Sequence, residues 1–281
     1  MNNITNSMFE SIKTALQKPS SASLTQNILK LEAGNTYVVR LLPNFKTPEK
    51  TFFHYYTVGW TSYSTGQYVS ALSPTTYNER DPIVEAKYRI LRSNTESPEL
   101  KSKADTIRRI EKWLVNALII KDPKTPENNG KVMMIRYGKQ LHKIIADAIE
   151  GEDAGDFGPR IFDLSENGCN LNIKVEKQGD YPTYVSSKFS PPKAIEGMTP
   201  EKMAEIYKST YDLTSVMPAR SVDDLTAMLD EHFYCASSKK ESAVEETPTV
   251  TAVETSNIGE STDEISDEKV KELLSGLDDL N

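Results

Sequence analysis

The run from Lys112 to Ile145 constrains this chain more than any other stretch. Trp113 to Ile120 is a short apolar run with β-branched residues, the pattern of a buried strand. Asp122-Pro123 and Thr125-Pro126 stop it, because proline offers no N–H to a ladder and holds the preceding residue extended. Asn128-Asn129-Gly130 tolerates positive φ, so the chain can turn back into a return strand, Lys131 to Tyr137. Gly138 ends that strand, and Leu141, Ile144, Ile145, Ala148 and Ile149 then recur at helical spacing. The same segment crowds Lys112, Trp113, Lys121, Lys124, Lys131, Arg136, Tyr137, Lys139 and Lys143 together. Cations and flat rings along paired strands suit a nucleic-acid strand, with its anionic backbone and planar bases.

The formal net charge of −8 is unevenly spread. Residues 237–281 hold 12 acidic and 4 basic residues, which leaves 29 of each sign in residues 1–236. Within that neutral part, residues 87–143 carry 14 basic and 6 acidic residues, and residues 144–236 carry 8 and 17. One basic segment and one detached acidic tail favour a body that binds a polyanion and a tail that competes or recruits. The two cysteines, Cys169 and Cys235, make no disulfide framework. They are expected to be small buried residues in a reducing compartment. No run reaches the roughly 18 apolar residues of a bilayer span. The N-terminus lacks a signal-peptide pattern, so a cytoplasmic location is expected.

At 281 residues the chain reads as one core with appendages. Residues 1–24 form a small arm in which Phe9, Ile12, Ala15 and Leu16 have helical spacing. The arm either docks on its own body or reaches a neighbouring copy. The body spans 25–236 and is mainly β with flanking helices (α+β). Strands are predicted at Thr36–Leu42, Phe52–Val58, Gly66–Val69, Ile161–Leu164 and Cys169–Glu176. Seven of the 13 tyrosines, with Trp60, fall between Tyr37 and Tyr88, where Leu, Ile and Val are sparse. Some of Tyr55, Tyr56, Trp60, Tyr63 and Tyr68 are therefore expected at the surface. A stacked base contributes about 1–3 kcal/mol. Asp81-Pro82 opens a helix carrying Tyr88 and Arg89. The basic stretch with Arg108 and Arg109 leads into the strand at Trp113, which favours phosphate contact. Gly179 to Tyr184 is a turn presenting Tyr181 and Tyr184, followed by Lys188. Thr199-Pro200 and Ser221 start two more helices, the second burying Leu225, Met228, Leu229 and Phe233. Residues 237–281 are rich in Ser, Thr, Glu and Asp and read as a disordered acidic tail. Leu273, Leu274, Leu277, Asp278, Asp279 and Leu280 near its end suit a partner's groove.

No phosphate-cradling Gly-rich loop, nucleophile elbow or paired metal-ligand motif is present, and His54, His142 and His232 are scattered. His142 reads as a surface or satisfied residue. The pattern points away from an enzyme.

Ile119 to Lys139, with its Lys-Asp-Pro, Pro-Glu-Asn and Gly-Lys elements, closely resembles the single-stranded-DNA-binding (helix-destabilising) proteins of T-even-type bacteriophages. Val38 to Pro43, Lys112-Trp113, Gly179 to Phe189 and Gly276 to Asn281 resemble the family in the same order. The resemblance implies an oligonucleotide/oligosaccharide-binding (OB) β-barrel with helical subdomains. It implies sequence-nonspecific, cooperative binding of single strands in DNA replication, recombination and repair, in the cytoplasm of an infected bacterial host. It also implies a self-association arm at 1–24, contacts to neighbouring copies on DNA, and recruitment of phage replication and recombination proteins by the acidic tail.

Matched positions carry DNA contact onto Arg40, Trp113, Arg136, Tyr181 and Tyr184. With the residue-level reading, the candidate contacts are Arg40, Tyr55, Tyr56, Trp60, Tyr68, Tyr88, Arg89, Arg108, Arg109, Lys112, Trp113, Lys131, Arg136, Tyr137, Tyr181, Tyr184 and Lys188. The alternatives are a single-stranded-RNA-binding translational regulator on the same fold, or a scaffold acting through its tail. The arm departs from the family in lacking its basic cluster, with only Lys13 and Lys18.

The family's type member holds zinc with one His and three Cys. Here the interval Phe53 to Lys112 has His54 and no cysteine, and Asp81-Pro82-Ile83-Val84 stands where Cys-Pro-Val-Cys would be. Asp and Val cannot replace thiolates at a tetrahedral site. Packing around Ile83, Tyr88 and Leu91 is expected instead. Metal analysis of the purified protein should therefore find no stoichiometric zinc. Deleting residues 237–281 should tighten polyanion binding at low salt, since the tail and the basic segment attract one another; a titration showing unchanged affinity would count against that contact.

Overall fold

The computed structural model describes residues 25–236, and eight strands and five α-helices follow one another there. They are β1 (Asn35–Leu42), β2 (Phe52–Thr61), β3 (Tyr68–Leu72), α1 (Pro82–Arg92), α2 (Pro98–Asp105), β4 (Arg108–Lys121) and β5 (Val132–Tyr137). Then come α3 (Lys139–Glu150), β6 (Leu171–Gln178), β7 (Tyr181–Thr183), β8 (Lys188–Phe189), α4 (Pro200–Lys208) and α5 (Val222–His232). The expected strand at Ile161–Leu164 is instead a 3-10 turn, Gly158–Phe162, because the segment bends over β1 rather than pairing with it. The strand expected to begin at Trp113 begins at Arg108, so the basic stretch lies within the sheet.

β4 is the spine. Its first half pairs antiparallel with β2, from Arg108↔Gly59 to Val115↔Phe52. Its second half pairs with β1, from Asn116↔Leu42 to Lys121↔Val38. β5 takes the opposite edge, from Trp113↔Tyr137 to Leu118↔Val132. β1 continues onto β6, and its register shifts between Val38 and Val39, near where it passes from one partner to the other. An irregularity of this kind bends a strand. The result is a curled antiparallel sheet ordered β3-β2-β4-β1-β6-β7.

From Trp113 to Ile119 both faces of β4 are covered, which is why that part of its sequence is apolar but for Asn116. Trp113, Val115, Ala117 and Ile119 enter the principal core with Val39, Leu41, Ile135 and Ile173, and Leu141, Ile145 and Ala148 of α3 belong to it. Leu114 enters a second core with Phe53, Tyr55, Met134, Leu213 and Val216. A third core sits beyond the sheet's β2–β3 end. Val58, Trp60, Ile83, Ala86, Ile90 and Ala104 meet the predicted stripe Leu225, Met228, Leu229 and Phe233 of α5. Capping agrees with the sequence at Asp81, Thr199 and Ser221, each of which accepts a backbone N–H at a helix start. Ser97 caps α2 in the same way, a helix not expected from the sequence. Cys169 is buried as expected, whereas Cys235 is exposed beyond α5.

Arg40, a candidate DNA contact, is fully buried. Its guanidinium donates to Asn170 Oδ1 at 2.8 Å, to the Lys193 carbonyl at 2.9 Å, and to the carbonyls of Asp163 and Ser165. It staples β1 to the loop before β6 and to the chain after β8. A Cβ at Gly168 would lie 2.0 Å from Arg40 Nη1 and 1.8 Å from the Asp163 carbonyl, so only glycine fits against the staple. Burial lowers the Arg40 pKa from its usual value, and the carbonyl oxygens are what tolerate the charge. Each buried carbonyl left without a donor costs about 1–3 kcal/mol. Arg40→Met should therefore lose roughly 3 kcal/mol or more in urea unfolding; a loss under about 1 kcal/mol would refute the staple.

Candidate nucleic-acid interface

Residues paired across an antiparallel ladder share a face, and successive residues alternate between faces. On one face of the β2–β4 ladder, His54 therefore lies beside Trp113, Tyr56 beside Glu111, and Val58 beside Arg109. This strip runs between the principal core and the helical core built on Val58 and Trp60. The Trp113 indole is only 7% exposed. His54 stacks on it at 4.8 Å and 16°, and His142 of α3 at 3.9 Å and 8°; Tyr137 is near-parallel at 6.2 Å.

Glu111 ties the strip together. Its Oε1 is 2.7 Å from His54 Nε2 and accepts the Tyr56 hydroxyl at 3.3 Å, and Lys139 Nζ is 3.8 Å from Oε2. The Arg109 guanidinium lies 4.6 Å from the Tyr56 ring centroid. A cation over an aromatic face is attracted by its quadrupole. Burial, then the Glu111 charge, push the Tyr56 phenol pKa up. Burial, then the neighbouring His54, push the His142 pKa down.

The other face carries different residues. Lys112 pairs with Tyr55, Arg108 with Gly59, and Arg136 of β5 with Leu114. Tyr68, 54% exposed, reaches across β2: a Cβ at Gly59 would meet its hydroxyl at 2.8 Å. The cations of residues 87–143 thus do not line one groove. Arg109 and Lys139 belong to the strip, and Arg108, Lys112 and Arg136 to the reverse face.

The expected contacts divide accordingly. Tyr55, Trp60, Tyr137 and Tyr184 are core residues along with Arg40, and Trp113 is covered by its ring neighbours. Trp60 donates its indole N–H to the His232 carbonyl at 3.3 Å. Burial pushes the Tyr137 phenol pKa up. Tyr184 packs in the principal core, and its backbone N–H donates to Gln140 at 2.8 Å. Tyr88 is half-buried on α1 with Arg92 5.5 Å over its ring, and Arg89 is exposed beside it. Lys131 is exposed at the β4–β5 turn. Tyr181 and Lys188 are exposed on β7 and β8, toward the far end of the sheet from β2. Of the candidates, Tyr56, Arg109 and the covered Trp113 are brought together on the strip. His54, His142 and Glu111 were not among them. Strand alternation through His54 and Tyr56 was the available signal for the first. The tail residues Leu273, Leu274, Leu277, Asp278, Asp279 and Leu280, and the arm 1–24, lie outside the described residues.

The residues present do not fit a tetrahedral zinc. Asp81 spends its carboxylate on the N–H groups of Ile83 and Val84 and on the Ser73 hydroxyl, and His54 is bound to Glu111 on the strip. Val84 has no donor atom. Among the described residues no three His, Cys, Asp or Glu side chains cluster as a metal site, and no helix is long and apolar enough to cross a membrane.

Two curated proteins are similar in sequence. One is the single-stranded DNA-binding protein of Enterobacteria phage T4, 28% identical over 192 residues, covering 67% of this chain and 62% of that protein. The other is the single-stranded DNA-binding protein of Enterobacteria phage T2, 30% identical over 112 residues, covering 39% of this chain and 37% of that protein. The matched regions thus span less than two thirds of either relative. The family model described as gp32 DNA binding protein like matches residues 33–233, the stretch that builds the curled sheet and the strip, and the chain belongs to that family.

Proposed function

We propose that this protein binds single-stranded DNA without sequence selection and catalyses no reaction. The two phage relatives are named single-stranded DNA-binding proteins, and the curled sheet with its helical lobe is compatible with an OB-type platform. The observation that carries the reading is the Tyr56–Arg109 pair, set beside the His54–Trp113 stack on one strip. Arg109 and Lys139 would replace counterions on the phosphates, and the release of those ions supplies affinity. A base would lie on Tyr56, where the guanidinium now rests. Paired bases are already stacked and cannot reach that ring, so unpaired strands are preferred. Phage DNA replication, recombination and repair in the cytoplasm of the infected host is the setting in which such a protein would act. The acidic tail at 237–281 would recruit replication and recombination partners, and the arm at 1–24 would meet neighbouring copies. The protein would do this without zinc: Asp81 caps α1, and the helical core closes the lobe.

Oligo-dT titrations at several salt concentrations test the interface. Affinity should fall linearly in logarithm with salt, and Arg109→Ala should reduce the slope by about 1. Tyr56→Ala should weaken binding by about 1–3 kcal/mol at every salt. A larger loss from Arg108→Ala with Lys112→Ala would move the DNA to the reverse face, and no salt-dependent binding by the wild type would overturn the reading altogether.

A further inference from the structure

Resting on that reading, we propose that His54 is a base-contacting ring of the interface, positioned by Glu111, and that a proton on its imidazole strengthens the hold on an unpaired strand. The first observation is exposure. Trp113 anchors the ring stack but is 7% exposed, so a base has little of the indole to meet. The His54 side chain is 44% exposed and lies near-parallel to that indole. Within the stack, His54 is the most exposed ring and so the one most open to a base.

The second observation is orientation. Glu111, whose side chain is 18% exposed, sits 2.7 Å from His54 Nε2, and this contact fixes the imidazole against Trp113. The carboxylate also accepts Tyr56, so one acid sets the attitude of both rings that would meet bases.

The third is charge. The groups facing His54 are Tyr56 on its own strand, Glu111 and Arg109 on β4, and Lys139 and His142 at the start of α3. Of the two imidazoles stacked on Trp113, His54 is the more exposed, and its Nε2 is the ring nitrogen set against the Glu111 carboxylate. A protonated His54 neutralises Glu111 and leaves the strip to Arg109 and Lys139 as a cationic surface. When the proton leaves, an unneutralised carboxylate faces the incoming phosphates. Histidine changes charge between about pH 5 and 8, so affinity should fall as pH rises through that window.

The test uses the full chain and fluorescently labelled oligo-dT at fixed salt, with anisotropy read from about pH 5.5 to 8.5. Thymine does not take up a proton there, so the titration belongs to the protein. Wild-type affinity should drop several-fold across the range. His54→Phe keeps a flat ring and cannot titrate; its affinity should be nearly independent of pH and close to the wild type's at the alkaline end. His54→Ala should be roughly 5- to 10-fold weaker at every pH. Glu111→Gln retains an acceptor for the Tyr56 hydroxyl without the charge and should bind more tightly than the wild type at high pH. A wild-type slope persisting in His54→Phe would assign the proton to another group and overturn the proposal, as would wild-type binding by His54→Ala. Both of those outcomes leave the single-strand reading standing. A wild type that does not bind oligo-dT would instead remove that reading, and this proposal with it.

Discussion

Everything at the candidate interface depends on β4 being paired along both edges. From Trp113 to Leu118 its backbone is held by β5 on one side and by β2 and then β1 on the other. A strand with two committed neighbours and two covered faces cannot slip, because a shift of one residue would exchange its core set for its other face. That lock sends Arg109, Glu111 and Trp113 toward the strip and Arg108 and Lys112 away from it. Adjacent arginines, indistinguishable as charges in the sequence, become residues of opposite faces. The pairing also explains how a 14-residue strand serves two halves of the molecule. Its first part carries the helical lobe through β2, and its second closes the principal core through β1.

How much of this was legible depended on the range of the interaction responsible. The β4–β5 turn, Gly130 with its positive φ, the α3 stripe apart from the exposed Ile149, and the caps at Asp81, Thr199 and Ser221 are local, and the sequence showed them. The fate of the rings was not local. Tyr55 is covered by Leu213 and Val216, and Trp60 by a helix more than 160 residues later in the chain. A tryptophan burying roughly 200 Å² gains about 5 kcal/mol at 25 cal/mol per Å², against about 1–3 kcal/mol for one stacked base. Once a cover exists the core wins, and composition alone could not show that a cover exists. Arg40 is the same lesson for a charge. Its carbonyl partners come from the loops around Asp163, Ser165 and Lys193, and a strand arginine gives no sign of them.

The segment that most closely resembles the family contains a folding device. Asp122 accepts the N–H groups of Lys124 and Thr125 and the Asn128 side-chain amide, while its own N–H donates to Asn129. These bonds make a rigid connection that holds β5 in register with β4, and so sets Tyr137 and α3 against Trp113. The segment in which the resemblance is most specific thus serves a turn of demanding geometry. The helical lobe makes the same point. Where the resemblance implied a metal, Asp81 and the α5 stripe supply capping and apolar burial, two ordinary interactions that keep α1 on β2.

An acid at the centre of a proposed polyanion site has a physical consequence of its own. Glu111 removes part of the strip's positive charge, so the hold on a strand shifts from phosphates toward rings. Long-range attraction would then come from the wider basic segment, including the reverse face, while the strip governs how closely a strand settles. Charge attraction is screened by salt and acts on any polyanion. Contact with flat rings requires bases that are not already paired. Dividing the two roles between the faces of one strand would let a nearly neutral body select for unpaired bases instead of gripping every nucleic acid it meets.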